Sequence, residues 1–544
     1  MFTGIDPLVH INVMSHIFLY GPPGTGKSTI GKILARNLNL PFMDLDEVIE
    51  SKADKSISRI MEQQGEPAFR DLESSALQEV VGHAYREASP EHSEGDSVTP
   101  HVIALGGGAL LREENRRQAE SCGTVVLITA ELSTLLEHLK NDSGKRPLLV
   151  GDLQEKLASL LEARKDHYSS FAIQVHIKDK TSEQSASQIQ TMLGRFHLSA
   201  MGEYDVIVQN DGINGLGNML QSRGVHNPIV VTDQNVAKFH LSRVAASLQA
   251  AGYRTNSIVI PAGEEHKNLE LVSLLWKDFL ENEMDRRSTV IALGGGVVGD
   301  MAGFAAATYM RGIDWVCVPT TLLSMVDASL GGKTGVDLPQ GKNLIGSFHP
   351  PRLVLADPQL LNTLPQREFI SGMAEVVKHG ILCDPDLFEK CSHGVDWVKE
   401  NLEEIVKQAM AVKIGIIEED PYEKGFRAAL NLGHTVGHAV ELASGFMLRH
   451  GEAVAIGMVV EAEFAERTGV AEKGLSNVIS DALSGLGLPV EIPEELSREE
   501  IIRAMQVDKK KDAAKIRFAL PAEIGKVQFV DVSDLELVIE YPSV

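Results

Sequence analysis

The stretch HIFLYGPPGTGKST, residues 16–29, decides the fold of the first part of the chain. An apolar run, HIFLY, ends in a glycine-rich turn, Gly21–Ser28, that fits GxxxxGK[ST] and opens a helix at Lys27. Strand, loop and helix in that order are the context in which such a turn cradles phosphates. The glycines let backbone N–H groups point inward, the lysine reaches the outer phosphates and the hydroxyl takes Mg²⁺. Gly21, Gly24, Gly26, Lys27, Ser28 and Thr29 are the expected nucleotide-binding residues.

Outward from this turn, apolar runs alternate with helical stretches: HVIAL (101–105) and TVVLIT (124–129), each followed by a helix. That alternation predicts an α/β fold with a parallel sheet. The polar stretch ASPEHSEGDSVTP (88–100) reads as a surface insertion. The pattern restarts with PIVVTD (228–233), NSIVIPA (256–262), STVIALGG (288–295) and DWVCVPT (314–320), and strand signals fade from about 366. The expected organisation is a P-loop α/β domain over 1–195, a linker over 196–203, a second α/β domain over 204–365 and a mainly helical domain over 366–544.

The hexapeptide IALGGG begins at Ile103 and again at Ile291, 188 residues apart. A duplicated domain would repeat the phosphate turn near 209–216, where QNDGINGL has no matching lysine or hydroxyl. The two glycine turns therefore belong to different domains with different ligands.

The bulk composition narrows the classes. A chain of 544 residues with 43% hydrophobic and 23% charged residues is an ordinary globular composition of two to four domains. A net charge of −24 argues against nucleic acid, whose phosphates call for basic surface. No apolar stretch is long enough for a membrane span, no secretory signal is visible, and the four cysteines show no CxxC spacing. A reducing, cytoplasmic setting is expected.

PFMDLDEVIE (41–50) places Asp44 and Asp46 two apart. In a strand they share a face, where one supports Mg²⁺ and the other takes a proton from an attacking hydroxyl; the same residues also read as an acidic helix start. Arg70 in GEPAFRDLE, Arg146 in KRPLL and Arg164 in EARKDHY join Gly106, Gly107 and Gly108 as a set able to bind a carboxylated polyol.

In the order GPPGTGKS, DLD, GE..FR, LGGGA, RPLL and R..HY, residues 15–190 resemble the shikimate kinase family. The resemblance implies ATP, Mg²⁺ and phosphoryl transfer to the 3-hydroxyl of shikimate. It assigns Lys27 and Ser28 to nucleotide and Mg²⁺, Asp44 to the metal and Asp46 to the acceptor hydroxyls as base. Arg70, Arg164 and Gly106–Gly108 then hold shikimate, and Arg146 is the lid arginine. The family often has Pro before the tyrosine, where this chain has His167.

In the second half, GGGVVGD (294–300) satisfies GxGxxG, a weak dinucleotide signal. NLGHTVGHAV puts His434 and His438 at i and i+4 on one helix face, RHGEAVAIGM supplies His450, and MAEVVKHG supplies Glu375 and Lys378. Two histidines and a carboxylate form a catalytic Zn²⁺ set with an open position. The basic residues Arg311, Lys333, Lys342, Lys378, Lys413, Arg427, Lys509 and Lys510 imply an anionic substrate.

From PAGEEHK through VPTTLLSMVDASLGGKTGVD, KNLIGSFHPP, GMAEVVKHG, GFRAALNLGHTVGHA and HGEAVAIGM to DKKK, residues 203–544 resemble 3-dehydroquinate synthase. The family implies conversion of the phosphosugar acid DAHP to 3-dehydroquinate, with NAD and a divalent metal, Zn²⁺ or another such as Co²⁺. It assigns Glu375, His434 and His450 to the metal. Asp233, Glu264, Lys267, Gly295, Gly296, Asp300, Thr320, Thr321 and Lys342 go to NAD. Arg311, Asp327, Lys333, Asn343, Lys378, Lys413, Arg427, Asn431, His438 and one of Lys509 and Lys510 go to the substrate. Arg311 is expected to cross to a partner subunit in a homodimer. The alternative for this half is a metal-dependent polyol or alcohol dehydrogenase.

Overall fold

The computed structural model describes residues 15–83, 99–141, 152–507 and 515–539. The chain forms two compact units, Met1–His197 and Leu198–Val544. The stretch expected as a linker from 196 opens inside a strand, Arg195–Leu198, that straddles this boundary. RFHL has an aromatic and an aliphatic residue at alternate positions, so it hydrogen-bonds as strand where its polar neighbours had read as a joint. Of the 88–100 insertion, residues 88–98 lie outside the described residues, as do Arg146, Lys509 and Lys510.

In the first unit five strands, β1 (His16–Tyr20), β2 (Phe42–Asp44), β3 (Val102–Ala104), β4 (Gly123–Ala130) and β5 (Ile173–Ile177), form a parallel sheet of order β2-β3-β1-β4-β5. The central β1 is buried along its whole length, and its alternation splits the core in two. Ile17 and Leu19 pack on one face with Val126, Ile128, and Ile30 and Leu34 of helix α1 (Lys27–Asn37). Phe18 and Tyr20 pack on the other with Leu77, Leu110 and Leu127. The chain leaves β1 at Gly21 with φ +144°; a Cβ there would lie 2.1 Å from the Ile128 carbonyl oxygen, so only glycine passes.

The second unit begins at Leu198, the last residue of the boundary strand, β6 (Arg195–Leu198). Its parallel strands are β7 (Tyr204–Val208), β8 (His226–Asp233), β9 (Asn256–Ile260), β10 (Ser288–Gly294), β11 (Asp314–Pro319) and, after a hairpin, β14 (Leu353–Ala356). They run in the order β7-β14-β11-β10-β8-β9, which sets β10 between β11 and β8. Helix α2 (Gly296–Thr308) starts where β10 ends. The hairpin of β12 (Lys333–Leu338) and β13 (Gly341–Phe348) escaped the sequence reading, because β13 is mostly exposed and lacks an apolar run.

The helical part contains α3 (Gln366–Cys383), α4 (Leu402–Glu419), α5 (His434–Ala443) and α6 (His450–Arg467), followed by the antiparallel hairpin β15 (Ile516–Glu523) and β16 (Lys526–Val532). Val436, Val440, Ile456, Phe464 and Phe518 share one hydrophobic core. Glycines set how closely three of these helices approach. A Cβ on Gly451 would lie 1.8 Å from the Ser371 carbonyl oxygen of α3, and one on Gly457 would lie 2.0 Å from the Gly433 carbonyl oxygen at the start of α5. Backbone therefore packs on backbone where α3, α5 and α6 meet.

Candidate active sites

In the first unit the phosphate turn is formed by glycines in conformations that other residues avoid: Gly24 has φ +89° and Gly26 φ +75°. Lys27 Nζ donates to the carbonyl oxygens of Gly21 (2.9 Å) and Pro22 (3.0 Å), folded back over the turn at the head of α1. Thr29 lies in the first turn of α1. Ser28 Oγ donates to Asp44 Oδ2 at 2.5 Å, which joins the two expected Mg²⁺ residues.

The two aspartates do not share a strand face. β2 ends at Asp44, and Asp46 already lies in the helix Leu45–Ala53, whose first free N–H groups include its own; Asp44 Oδ1 accepts from Asp46 N at 3.0 Å. Asp44 thus caps a helix and faces Ser28 together, and Asp46 turns toward the second glycine loop. A Cβ on Gly106 would lie 3.0 Å from Asp46 Oδ1 and 2.8 Å from Glu73 Oε1. A Cβ on Gly107 would meet the Gly21 carbonyl oxygen at 3.1 Å, and one on Gly108 would meet Arg70 Nη2 at 2.5 Å. The loop after β3 is therefore the place where the acid, the arginine and the phosphate turn converge, each over a glycine without a side chain.

Arg70 is aimed by two acids, Glu73 Oε2 at 2.7 Å and Glu66 Oε1 at 3.0 Å. Glu73 is 1% exposed, and burial pushes its carboxyl up against the opposing pull of Arg70. Sequence reasoning missed Glu73; its signal is the i, i+3 spacing from Arg70 in FRDLE. Arg164 Nη1 donates to the Gly107 carbonyl oxygen at 2.7 Å, and Tyr168 Oη donates to the same atom at 3.2 Å. His167, the departure from the family pattern, stands 3.1 Å from Tyr20 Oη.

In the second unit Gly295 precedes the first turn of α2, whose N-terminal N–H groups face the C-terminal ends of β10 and β11. Around that end Lys267, 4% exposed, reaches Asp300 Oδ2 at 2.7 Å and Asn343 Oδ1 at 2.5 Å. Glu264 carries a carboxyl raised by burial, against the pull of Lys267 and Lys342. Asp233 Oδ1 accepts from the N–H groups of Asn235 and Val236. Thr321 Oγ1 accepts from Ser324 N, and the buried Thr320 Oγ1 has no hydrogen-bond partner among the described residues. A helix N-terminus, a buried lysine and an unsatisfied hydroxyl at the strand ends fit a dinucleotide.

The metal-type residues come together from three helices: Glu375 from α3, His434 from α5 and His450 from α6, with one donor atom of each within 4.8 Å of the others. His434 Nε2 and His450 Nε2 stand 3.6 and 3.5 Å from the same atom, Glu375 Oε1. That spacing suits three ligands around one ion better than a direct hydrogen bond. His434 Nδ1 sits 3.1 Å from the Leu432 carbonyl oxygen, an acceptor, so the ring hydrogen belongs there and the Nε2 lone pair is left for the site. Burial, and then Lys378, push His434 down to about 3, so its imidazole is neutral, the form able to ligate a metal. Glu375 is buried, yet Lys378 and His434 hold its carboxyl well below the usual range, so it is an anion. This donor set fits Zn²⁺ or a similar divalent ion.

Of the substrate-type residues, Lys378, Asp327 with its partner Lys413, and His438 adjoin this cluster, and several are already paired. Lys378 Nζ pairs with Glu375, Lys413 Nζ with Asp327, and Lys333 Nζ with Glu423 at 3.2 Å. Asp327 sits in a single π-turn, Ser324–Ala328, a kind of helical irregularity frequent at functional sites. Arg427 is buried and donates to the Pro421 carbonyl oxygen at 2.5 Å. Asn431 and His438 are exposed, and the His438 ring lies 5.1 Å from that of His434 and 5.7 Å from that of His450. Arg311 is exposed with φ +70°, outside this cluster.

The comparisons with known proteins agree with this division. Residues 23–194 match the shikimate kinase family, residues 257–371 the 3-dehydroquinate synthase N-terminal family and residues 372–511 its C-terminal counterpart. A 3-dehydroquinate synthase of Nostoc punctiforme is 44% identical over 336 residues, covering 60% of this chain and 93% of the relative.

The chain belongs to the 3-dehydroquinate synthase family and carries a shikimate kinase domain ahead of it.

Among solved structures, a 2-deoxy-scyllo-inosose synthase complexed with carbaglucose-6-phosphate, NAD⁺ and Co²⁺ is 27% identical with TM-score 0.58, covering 63% of this chain and 98% of its own. The 2-epi-5-epi-valiolone synthase of Streptomyces hygroscopicus subsp. jinggangensis, with NAD⁺ and Zn²⁺ bound, is 28% identical with TM-score 0.57, covering 62% and 94%. These matches favour a synthase over the alcohol dehydrogenase alternative for the second half. No helix among the described residues is long and apolar enough to cross a membrane, and the four cysteines are free.

Proposed function

We propose that this chain is a bifunctional shikimate-pathway enzyme of the cytoplasm: an ATP-dependent kinase of shikimate and an NAD- and metal-dependent synthase that turns DAHP into 3-dehydroquinate and phosphate. The observation that carries the kinase reading is the convergence of Asp46, Arg70 and the phosphate turn on Gly106–Gly108. The observation that carries the synthase reading is the Glu375–His434–His450 cluster from three helices.

In the kinase, the turn from Gly21 to Ser28 holds the nucleotide phosphates, with Lys27 on the outer ones and Ser28 and Asp44 toward Mg²⁺. Arg70 and Arg164 bind the shikimate carboxylate, Asp46 accepts the proton of the attacking hydroxyl, and Arg146 meets the transferring phosphate. Lys27 breaks its two contacts with the turn's own carbonyls to reach the nucleotide.

In the synthase, Glu375, His434 and His450 would hold the metal, which would supply Lewis-acid polarisation of a substrate hydroxyl. Gly295, Gly296, Asp233, Glu264, Lys267, Asp300, Thr320, Thr321 and Lys342 would hold NAD, whose chemistry when bound would be reversible hydride transfer. Lys333, Asn343, Lys378, Lys413, Arg427 and Asn431, with Lys509 or Lys510, bind the phosphate and carboxylate of the substrate. Asp327 keeps Lys413 in place, and His438, exposed beside the ligand histidines, moves the hydroxyl proton at its ring nitrogen. Because Lys378, Lys413 and Lys333 are each paired with an acid, the pocket is locally neutral until an anion takes those ammonium groups. The synthase half forms a homodimer in which Arg311 reaches the partner's site.

The test is direct. Purified protein given DAHP with catalytic NAD⁺ releases phosphate without accumulating NADH, and a chelator stops it. Given shikimate and Mg-ATP it forms shikimate 3-phosphate. Steady NADH accumulation from a simple alcohol, without phosphate release, rejects the synthase reading, and sedimentation of the wild type against R311A tests the dimer.

A further inference from the structure

We propose that Glu441 couples the dinucleotide end of the synthase pocket to its metal end, so that NAD and the metal tighten each other's binding. The inference rests on the reading that Lys342 serves NAD and His450 the metal.

Glu441 lies on α5, three residues beyond His438 and seven beyond His434, on the helix face that carries both. Its two oxygens point to different partners. Oε2 stands 3.6 Å from His450 Nδ1, and Oε1 stands 3.2 Å from Lys342 Nζ. The carboxylate is mostly buried, with its side chain 11% exposed, whereas Lys342 is 49% exposed, so water screens the lysine contact more than the histidine one and leaves the ammonium able to turn away. Lys342 comes from the hairpin strand β13 and is contacted a second time from the turn after α5, where its ammonium lies 5.0 Å from the Phe446 ring. One carboxylate therefore joins a lysine of the α/β part to a histidine of the helical part.

The coupling follows from what each partner does when its ligand arrives. His450 turns Nε2 toward Glu375, 3.5 Å away, so a metal takes the Nε2 lone pair and leaves the ring hydrogen on Nδ1. That N–H faces Glu441 across 3.6 Å, and the more negative charge the carboxylate keeps for it, the better the imidazole binds a cation. Lys342 draws on the same charge. When its ammonium turns to a dinucleotide anion, Glu441 serves His450 alone, and a positive charge moves away from the cation site. Both effects favour the metal. By linkage, a bound metal must favour NAD by the same factor.

The test measures binding rather than turnover. Zn²⁺ affinity is obtained by competition with a chromophoric chelator, with and without saturating NAD⁺, and NAD⁺ affinity of the metal-free protein by calorimetry. In the wild type NAD⁺ tightens Zn²⁺ about five-fold or more. E441Q weakens Zn²⁺ about ten-fold, brings the NAD⁺ effect close to one, and leaves the metal-free protein binding NAD⁺ more tightly, because Lys342 no longer has to leave a carboxylate. A residue that only supported the fold would weaken both ligands together. E441D, too short to span both partners, gives the same loss of coupling and serves if the glutamine variant does not fold. An NAD⁺ effect of one in the wild type, or an unchanged effect in E441Q or E441D, overturns the proposal. Zn²⁺ binding that survives H434A unchanged overturns the underlying metal assignment instead.

Discussion

Gly108 shows how much one missing methyl group decides. A Cβ there would stand 2.5 Å from Arg70 Nη2, inside the space of the guanidinium that Glu73 and Glu66 aim. G108S is expected to push Arg70 aside and raise the KM for shikimate about ten-fold or more, the worth of a charge-assisted hydrogen bond, while the KM for ATP stays close to wild type. Steady-state kinetics with each substrate varied in turn checks this. Individual residue types were the most legible layer of the sequence: the phosphate turn, the arginines and the metal histidines all have short motifs. The partners that aim them were not legible. Glu73, Glu441 and Glu461 are ordinary helix glutamates in sequence, and only folding shows that they are buried against an arginine, a histidine and a helix end.

At the scale of elements, the metal cluster depends on how α5 begins. Glu461, fully buried on α6, accepts from Gly433 N at 2.6 Å and Val436 N at 3.4 Å, two of the N–H groups that a helix start leaves without a partner. E461A is expected to cost the synthase unit about 1–2 kcal/mol, read as a lower Tm in calorimetry. G457A, which sets a methyl group against the Gly433 carbonyl, is expected to cost about 1–3 kcal/mol or more by overpacking. Most of the parallel strands were legible because buried strands are continuous apolar runs, as in STVIALG, while the short β5 and β14 were not read. The β12–β13 hairpin was not, because an exposed strand has no such run. Asp44 and Asp46 were read either on one strand face or at an acidic helix start, and the second holds: Asp44 ends its strand as a helix cap, so Asp46 falls on the helix.

For the molecule as a whole, two units with separate sites predict separable activities. K27A is expected to abolish shikimate phosphorylation and spare the synthase, and H434A the reverse; assays of both reactions on both variants check it. The kinase unit also carries its own acid limit. His16, 2% exposed on β1, is pushed down to about 4 by burial and then by His101. The folded unit thus refuses a proton that the unfolded chain takes near its ordinary value of about 6.5. Stability is full above that pH and falls as pH drops toward 4, by on the order of 3 kcal/mol. H16N, whose amide oxygen can replace Nδ1 as acceptor for His101 N, should flatten this fall in melts followed across pH 7 to 4. The glycine contacts among α3, α5 and α6 have a last consequence, for ionic radius. With Gly451 seated on the Ser371 carbonyl and Gly457 on that of Gly433, the helices carrying Glu375, His434 and His450 meet backbone to backbone at these two points, where no side chain can compress or release. As proposed metal ligands, the three residues sit in a triangle restrained by these two contacts, and their two nitrogens and one carboxylate disfavour Ca²⁺, which wants six to eight oxygens at about 2.3–2.6 Å.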